Sequence, residues 1–281
     1  MSYDLFFRAP DGVFTRETFG NYFGSRPNYE VNGGQAFYQN DVTGVYFSFD
    51  WNDPSTQADE GEQSYSVAFN INYCRPSFFG LEAEPEVTAF VKAFGFAVED
   101  PQMNGMGHGP YDDALFLSGW NVGNAFGVEG VFRGRRHEAP PPTRPTAELH
   151  RIWAWNAGVA KRQKELGEDV FVPRIMFGRF AGRLASLFVW GDGIPTVVPS
   201  VDSVLVLRRE LAPRRWLGGA KEDRCVVPGA DVAALVRRAG GSDLDGGVVP
   251  GYTRATSGGR FRARPQAHDR GLRRRYDGPS T

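Results

Sequence analysis

Residues 43–94 constrain the fold more than any other part of the chain, because two strand patterns are followed directly by a helix pattern. Apolar and polar side chains alternate through residues 45–50 and again through residues 65–73. Strict alternation is typical of a strand with one buried face. The segment between them is acidic and contains proline and glycine, which favours a long, solvated hairpin connection over a tight turn.

A helix is predicted after this pair of strands, with Pro85 near its start and Gly95 at its end. Its apolar positions recur at helical spacing and are expected to face the sheet: Val87, Phe90, Val91 and Phe94. Its first turn is predicted to hold three carboxylates that interact well with the helix dipole: Glu82, Glu84 and Glu86.

The first hundred residues predict the element order β-α-β-β-β-β-α. A strand pattern opens the chain at residues 2–8, and the Asn-Gly-Gly sequence at residues 32–34 predicts a hairpin because both residue types accept positive φ. Residues 99–113 have no periodicity and predict a surface loop, whereas residues 114–132 predict a helix. The expected fold class is α+β, with mostly antiparallel sheets and helices packed on one face.

Residues 133–145 (RGRRHEAPPPTRP) are the best candidate for a linker, because clustered prolines favour extended, semi-rigid backbone. Two lobes are therefore predicted. An acidic α+β lobe covers residues 1–132, and a basic α+β lobe covers residues 146–253. Residues 254–281 are predicted to form a disordered, arginine-rich tail.

The second lobe is predicted to begin with a helix that is capped by Thr146 and ended by Gly167. Trp153 and Trp155 cannot share one face of that helix, so one is expected in the core and the other at the surface or at a domain contact. Three strands and a last helix are predicted after it, over residues 170–177, 184–190, 204–207 and 230–238.

The net charge of −1 hides a strong segregation of sign. Residues 1–132 carry a net charge of −13, residues 133–253 carry +6, and residues 254–281 carry another +6. Such asymmetry bears on partners and not on the fold. Nucleic-acid binding is disfavoured by the acidic lobe and is expected, if at all, through the tail. The Arg/Gly/Pro-rich tail also fits the frame-shifted end of a GC-rich gene, and the sequence leaves both interpretations open.

Composition and motifs narrow the class of protein. No segment approaches the roughly 20 apolar residues of a membrane span, and the N-terminus lacks the basic-then-apolar order of a secretory signal. Two cysteines, Cys74 and Cys225, do not make a disulfide framework, so a reducing cytoplasm is predicted. The P-loop, GxSxG, CxxC and HExxH patterns are absent. No cofactor is predicted, and the sequence does not specify an oligomeric state.

The main functional hypothesis is a non-catalytic protein that binds a basic macromolecule, most simply a protein, as an immunity protein or antitoxin caps a basic effector. The expected acidic binding face consists of Asp50, Asp53, Asp59, Glu60, Glu62, Glu82, Glu84 and Glu86. The alternative is an enzyme of unrecognised class that uses carboxylates near Asp50 and Glu82, or the loop around His108.

Two further sets of residues are weaker candidates. A small-molecule pocket is hypothesised from a glycine stripe at residues 119, 123 and 127, although such a stripe more often marks close helix packing. Its candidate lining is Asn70, Asn72, Arg75, Trp120, Asn121 and Asn124. A metal could use one imidazole and two carboxylates, against the simpler interpretation of a solvated loop: His108, Asp112 and Asp113.

Four segments carry a resemblance: MSYDLFF at the N-terminus, NINYCRPSFFGLEAEPEVTAF at residues 70–90, GWN at residues 119–121 and LFVWGDGIPTVVP at residues 187–199. Together they make the chain similar to a family of bacterial cytosolic proteins, over residues 1 to about 250. No activity, cofactor or catalytic residue is established for that family. The resemblance therefore implies a bacterial cytosolic protein and no particular function.

Overall fold

The computed structural model describes residues 1–10, 14–53, 65–102, 105–134, 143–180, 182–191, 194–208 and 223–250. Within these ranges, six helices and fourteen strands form mostly antiparallel sheets, which confirms the predicted α+β class. Asp59, Glu60 and Glu62, most of the predicted linker and the arginine-rich tail lie outside the described residues. The predicted division into two lobes and a tail stays a prediction.

The first part of the chain forms one seven-stranded antiparallel sheet. Its strands are β1 (Ser2–Arg8), β2 (Tyr29–Asn32), β3 (Gln35–Asn40), β4 (Val45–Trp51), β5 (Val67–Asn72), β6 (Ala97–Asp100) and β7 (Gly107–Gly109). Their order across the sheet is β2-β3-β4-β5-β1-β6-β7. The predicted central pair is confirmed, with Phe49 opposite Phe69. The predicted hairpin is confirmed as well, and Gly33 has a φ of 64° in its turn.

Three helices cover one face of this sheet: α1 (Arg16–Gly24), α2 (Phe78–Phe94) and α3 (Asp113–Gly134). Alternate strand side chains and the inward sides of the helices bury one aromatic core. Its largest members include Tyr3, Phe7, Phe23, Phe47, Phe49, Phe69, Phe90, Phe116 and Trp120. Much of the 14% aromatic content of the chain is therefore used in this core. The opposite face of the sheet carries a different set of side chains.

The start of α2 differs from the prediction. The helix begins at Phe78, so Pro85 lies inside it, and no acidic residue occupies its first turn. Pro85 is on the exposed side, where the backbone hydrogen bond that proline cannot make is open to water. The predicted apolar face and the end at Gly95, whose φ is 65°, are confirmed. The dipole argument for Glu82, Glu84 and Glu86 is therefore wrong, because these residues lie in the middle of the helix.

The predicted loop at residues 99–113 is partly wrong, because β6 and β7 form a short antiparallel pair there. The pair is only three residues long, which is too short to give a detectable sequence period. The turn between the two strands is held by Asp100, which is 4% exposed. Its carboxylate accepts hydrogen bonds from the backbone N–H groups of Gln102 and Met106 at 3.0 Å each.

The second part of the chain begins with α4 (Thr146–Ala157) and α5 (Val159–Leu166) and ends with α6 (Gly229–Arg238). Its strands are β8 (Met176–Phe180), β9 (Arg183–Gly191), β10 (Val198–Pro199), β11 (Ser203–Arg208), β12 (Asp223–Pro228), β13 (Ser242–Leu244) and β14 (Gly247–Val249). They form a four-stranded sheet in the order β12-β11-β9-β8 and a three-stranded sheet in the order β10-β14-β13. The pair β9–β11 is parallel, and the others are antiparallel.

Three predictions in this part need correction. The single helix over residues 146–167 is broken at Gly158, and Pro145 takes the cap position predicted for Thr146. The strand predicted over residues 170–177 begins only at Met176. The later start of the strand has a structural reason: side chains from α4 and α5 form hydrogen bonds with the backbone of the residues that precede β8. Gln163 pairs with the backbone of Val170 and Val172, and Asn156 pairs with that of Ile175.

The two parts meet where α4 contacts α2. The Trp153 ring stacks on Phe78 at a centroid distance of 6.4 Å, and its Nε1–H donates to the Glu82 carboxylate at 2.6 Å. Trp155 is 2% exposed and lies in a separate core of the second part. The core position predicted for one of the two tryptophans is confirmed for Trp155, and Trp153 lies where the two parts of the chain touch.

Candidate functional site

The face of the seven-stranded sheet opposite the three helices is the first candidate. Because side chains alternate along each strand, a second set of side chains lies on this side of the sheet. We call this side the outer sheet face. It is defined by Asp4, Phe6, Phe37, Ser48, Asp50 and Asn70. The strand register links these residues across the sheet, with Asp4 opposite Asn70, and Asn70 opposite Ser48. The described helices that share the main core all lie on the other side.

Two carboxylates on the outer sheet face are held by neutral hydrogen-bond donors. Asp4 accepts hydrogen bonds from Asn70 Nδ2 at 2.5 Å and from Ser2 Oγ at 2.9 Å. Asp50 accepts hydrogen bonds from Gln35 Nε2 at 2.7 Å and from Ser48 Oγ at 3.0 Å. Within the described ranges, neither carboxylate has an ion-pair partner. Amides and hydroxyls therefore fix the position of both negative charges without cancelling them.

The spacing of the two carboxylates follows from the sheet geometry. Asp4 lies on β1 and Asp50 on β4, with β5 between them. Asp50 pairs with Ala68, two residues along β5 from Asn70, the partner of Asp4. Two strand spacings of about 4.8 Å and a rise of about 3.3 Å per residue place their Cα atoms roughly 12 Å apart. The pair can therefore contact two separate cations, and it is too widely spaced to share one proton or one small metal ion.

Aromatic side chains lie beside the two carboxylates. Phe6 contacts Tyr65 at a ring-centroid distance of 4.5 Å. Phe37 stacks on Tyr46 at 6.2 Å, and the guanidinium of Arg75 lies 5.4 Å from the centre of the Tyr46 ring. Half-buried aromatic faces next to carboxylates offer both cation–π and ionic contacts to a guanidinium or ammonium group. The Arg75–Tyr46 contact is an internal example of that chemistry.

One edge of the sheet is electrically compensated. Arg8 on β1 forms an ion pair with Glu99 on β6, and His108 Nε2 lies 3.6 Å from the other oxygen of Glu99. Asp112 accepts the backbone N–H of Leu115 at 2.9 Å and so caps the start of α3. The described ranges contain no group of three or more His, Cys, Asp or Glu residues that could hold a metal. His108, Asp112 and Asp113 therefore form no ligand set.

The structure separates the acidic residues expected on α2 from the outer sheet face. Glu86 accepts hydrogen bonds from Arg26 Nη2 at 2.7 Å and from the Tyr29 hydroxyl at 3.2 Å. Burial first, and then the charge of Glu86, raises the pKa of Tyr29 above its usual range. Glu84 accepts the hydroxyl of Thr88 on its own helix. Among the described residues, Asp50 is the member of the expected acidic face that lies on the outer sheet face, and Asp4 joins it there, whereas Asp53 is exposed and follows the end of β4.

Glu82 is a buried structural carboxylate with a side chain only 9% exposed. Its Oε1 accepts hydrogen bonds from Tyr38 Oη at 2.9 Å, Asn40 Nδ2 at 2.7 Å and Thr43 Oγ1 at 3.0 Å. Its Oε2 accepts the Trp153 indole N–H described above. Burial first, and then the Glu82 charge, raises the pKa of Tyr38. Because Glu82 lies on the helix side and Asp50 on the outer face, the two do not converge as an acid–base pair.

The residues proposed for a pocket do not surround one space. Asn70 and Asn72 belong to the outer side of β5, whereas Trp120 and Asn124 are buried under α3, on the helix side. Asn124 exchanges two hydrogen bonds with the backbone of Arg75, at 3.2 and 2.9 Å. Asn121 is exposed. Asn124 therefore holds α3 against the end of β5, and the hypothesised lining residues lie on two different sides of the sheet.

The glycine stripe of α3 is explained by close packing. A Cβ at Gly119 would lie 3.1 Å from the Tyr3 hydroxyl, and one at Gly123 would overlap the Tyr73 ring. Glycine therefore lets the helix approach two tyrosines that its own residues partly bury. Burial, with smaller contributions from Asp100 and Asp4, raises the pKa of Tyr73 to about 12. The packing alternative is thus the one that the contacts support.

A serine–histidine contact was not found from the sequence. Ser77 Oγ lies 2.8 Å from His150 Nε2, where the start of α2 meets α4. A Ser–His pair needs a third group to orient the imidazole before it resembles a catalytic triad. No carboxylate in the described part of the chain hydrogen-bonds to His150. The contact therefore serves the α2–α4 junction, and its separation of 73 residues left no local signal in the sequence.

This chain matches no protein-family model, no curated protein and no solved structure. Among the described helices, none combines the length and hydropathy needed to cross a bilayer. Both cysteines are unpaired thiols.

Proposed function

We propose that this chain is a non-catalytic binding protein whose outer sheet face receives a basic segment of another protein. One observation carries the proposal. Asp4 and Asp50 are fixed by neutral donors and have no cationic partner among the described residues, while Glu86, Glu99, Glu148 and Asp202 are all paired with arginine.

Fixed, uncompensated carboxylates suit binding of cations for two physical reasons. Their side chains are already ordered, so little conformational entropy is lost when a ligand arrives. They are also half-buried, which makes their attraction to a cation stronger than that of fully solvated charges. The connection between β4 and β5, residues 52–66, carries four further carboxylates in its sequence: Asp53, Asp59, Glu60 and Glu62. Negative charge close to a binding face raises the association rate of a cationic partner in a salt-dependent way.

The partner chemistry follows from the same residues. Two carboxylates roughly 12 Å apart, with aromatic rings beside them, fit lysine or arginine side chains about four residues apart on an extended segment. A cytoplasmic role of the immunity or antitoxin type, in which the chain caps a basic effector, is the specific form of this proposal. The enzyme alternative has less support, because Asp50, Glu82 and His108 lie at three separate places.

A double substitution, Asp4→Asn with Asp50→Asn, tests the proposal without changing side-chain shape. The probe is a labelled ten-residue peptide that alternates arginine and serine, and binding is measured by fluorescence anisotropy at low salt. Loss of two partly screened ion pairs, each worth about 0.5–1 kcal/mol, should weaken binding about 5- to 30-fold. Most of the change should appear in the association rate and should shrink as salt is added.

The matched control is Glu168→Gln with Asp169→Asn, which removes the same two charges from an exposed site in the second part of the chain. We expect this control to bind the peptide as the natural sequence does. Equal weakening by both pairs of substitutions would show a nonspecific effect of net charge and would reject the outer sheet face. Absence of any peptide binding at low salt would reject it as well.

A further inference from the structure

The arginine spacing in residues 251–281 matches the carboxylate spacing of the outer sheet face. These residues follow Pro250, the last described residue, and carry a net charge of +6. Arginine stands at every second position of one stretch, which we call the arginine segment: Arg260, Arg262 and Arg264. In an extended chain these side chains lie on one side, and the outer two are about 13 Å apart. The Cα atoms of Asp4 and Asp50 are roughly 12 Å apart by the same geometry.

We propose that the arginine segment occupies the outer sheet face of its own chain and competes there with the basic partner. This regulation rests on the proposed function, because it assigns an internal competitor to the same two carboxylates. Charge complementarity supports the choice of occupant. Asp4 and Asp50 have no cationic partner among the described residues, and residues 251–268 contain four arginines and no carboxylate.

The surface between the two carboxylates fits the middle arginine of the segment. Ala68 and Asn70 lie there on β5, opposite Asp50 and Asp4 respectively. The short side chain of Ala68 leaves room above the sheet. Asn70 donates its Nδ2 to Asp4, and within the described ranges no group donates to its Oδ1. Arg262 can therefore donate to that oxygen while the outer two arginines reach the carboxylates.

The connection to the arginine segment is long enough for this contact. Ten residues lead from Pro250 to Arg260, and a fully extended chain of that length spans up to about 33 Å. A folded chain of about 250 residues has a radius of gyration of about 18 Å, so the reach is comparable with the size of the molecule.

The tether compensates for a weak contact. A short flexible connection holds the arginine segment at an effective concentration on the order of 1 mM near the face. A free segment that binds with a dissociation constant of about 0.1–0.3 mM would then leave the face open in about 10–25% of molecules. A basic partner of higher affinity displaces the segment, whereas a weak cationic ligand is excluded.

The first test uses the full chain with three substitutions in the arginine segment: Arg260→Gln, Arg262→Gln and Arg264→Gln. The probe is the labelled arginine–serine peptide, followed by fluorescence anisotropy at low salt. The dissociation constant of the peptide should fall about 4- to 10-fold, because the internal competitor is lost. The gain should shrink as salt is added, since salt screens both contacts.

The matched control removes three charges from the same part of the chain: Arg273→Gln, Arg274→Gln and Arg275→Gln. The control should leave the dissociation constant of the peptide nearly unchanged. Equal tightening by the two sets of substitutions would overturn the proposal, because the effect would then belong to net charge and not to the arginine segment.

Trypsin gives a second readout that needs no peptide. Cleavage after Arg260 and Arg262 requires the segment to leave the face, so it should be about 4- to 10-fold slower in the natural sequence than in Asp4→Asn with Asp50→Asn. Cleavage after Arg275 should be equally fast in both and serves as the internal control. A protection that rises with protein concentration would show binding to a second copy and would overturn the intramolecular contact.

The two readouts separate failure of this proposal from failure of the proposed function. Equal peptide affinity of the natural sequence and the arginine-segment variant, with equal trypsin rates, would overturn the internal contact and leave the proposed function intact. Trypsin protection that depends on Asp4 and Asp50, in chains that bind no peptide, would support the internal contact and reject the external partner.

Discussion

Replacing Glu82 by leucine is expected to lower the free energy of unfolding by about 3–5 kcal/mol, because the substitution leaves several buried donors unpaired. The carboxylate now accepts hydrogen bonds from Tyr38, Asn40, Thr43 and Trp153. Leucine has nearly the same length and accepts none of them. The substitution should destabilise the first part of the chain, because Tyr38, Asn40 and Thr43 lose their acceptor. It should also weaken the α2–α4 junction, because the Trp153 indole N–H loses its acceptor.

Urea unfolding followed by tryptophan fluorescence and by circular dichroism measures this effect. The matched control is Glu84→Leu on the same helix, where the carboxylate is half-buried and, among the described residues, accepts a hydrogen bond from Thr88 alone. Because only the half-buried Thr88 hydroxyl loses its acceptor, the control should lower the free energy of unfolding by less than about 1 kcal/mol. Equal losses for the two variants would contradict the role assigned to Glu82.

A double-mutant cycle isolates the part of this effect that belongs to the junction. Trp153→Phe removes the indole N–H and keeps an aromatic ring beside Phe78. A coupling energy of about 1–3 kcal/mol between Glu82→Leu and Trp153→Phe is expected for two groups in one buried hydrogen bond. Additive effects would mean that the junction depends on ring packing and on the Ser77–His150 contact, and not on the buried carboxylate.

The elements with a strong local period were predictable from the sequence. Strands β4 and β5, the apolar face of α2 and its end at Gly95 follow from alternation, helical spacing and the need for positive φ. The same alternation already distinguished the outer side of β1, where Asp4 lies between two buried positions, Tyr3 and Leu5. The position of Asp4 on the polar face could therefore have been predicted with the pattern that gave Asp50.

The role of Glu82 was missed because the start of α2 was predicted too late. Counted from Phe79, a buried residue, positions 82 and 86 lie on the inward side of the helix. If the helix is taken to begin near Pro85, the same glutamates fall in its first turn, where acidic side chains are normally solvated. The partners of Glu82 are 39 to 71 residues away along the chain, so no local pattern could name them. Short strands such as β7 and β10 were not predicted, because two or three residues are too few to show an alternating pattern.

The charge segregation of the sequence is a poor guide to the surface field. Part of the net charge of −13 over residues 1–132 is placed in buried carboxylates, Glu82 and Asp100. Other carboxylates are paired with arginine, as Glu86 is with Arg26 and Glu99 is with Arg8. What remains for a partner is a smaller set whose position depends on the fold. A proposal about binding therefore has to rest on which charges are uncompensated, and not on the total.

A methyl group at Gly105 is expected to destabilise the protein by about 2–4 kcal/mol, because a Cβ there would overlap the Asp100 carboxylate. That carboxylate is buried and accepts the Tyr3 hydroxyl at 2.5 Å, besides the two backbone N–H groups of the β6–β7 turn. Moving it away leaves all three donors without their acceptor. Burial, together with the hydrogen bond to Asp100, raises the pKa of Tyr3, so its hydroxyl stays a donor throughout the stable pH range.

Thermal and urea unfolding of Gly105→Ala, beside Gly20→Ala as control, checks the expectation. A Cβ at Gly20 meets nothing within 4 Å inside α1, so alanine there should stabilise the protein by about 0.5–1 kcal/mol. Adding Tyr3→Phe to Gly105→Ala should cost less than Tyr3→Phe alone, because its hydrogen bond would already be lost. Full additivity would show that the Tyr3–Asp100 bond survives the methyl group and that the turn moves instead. A Gly105→Ala variant as stable as the natural sequence would contradict the packing of this turn against the carboxylate.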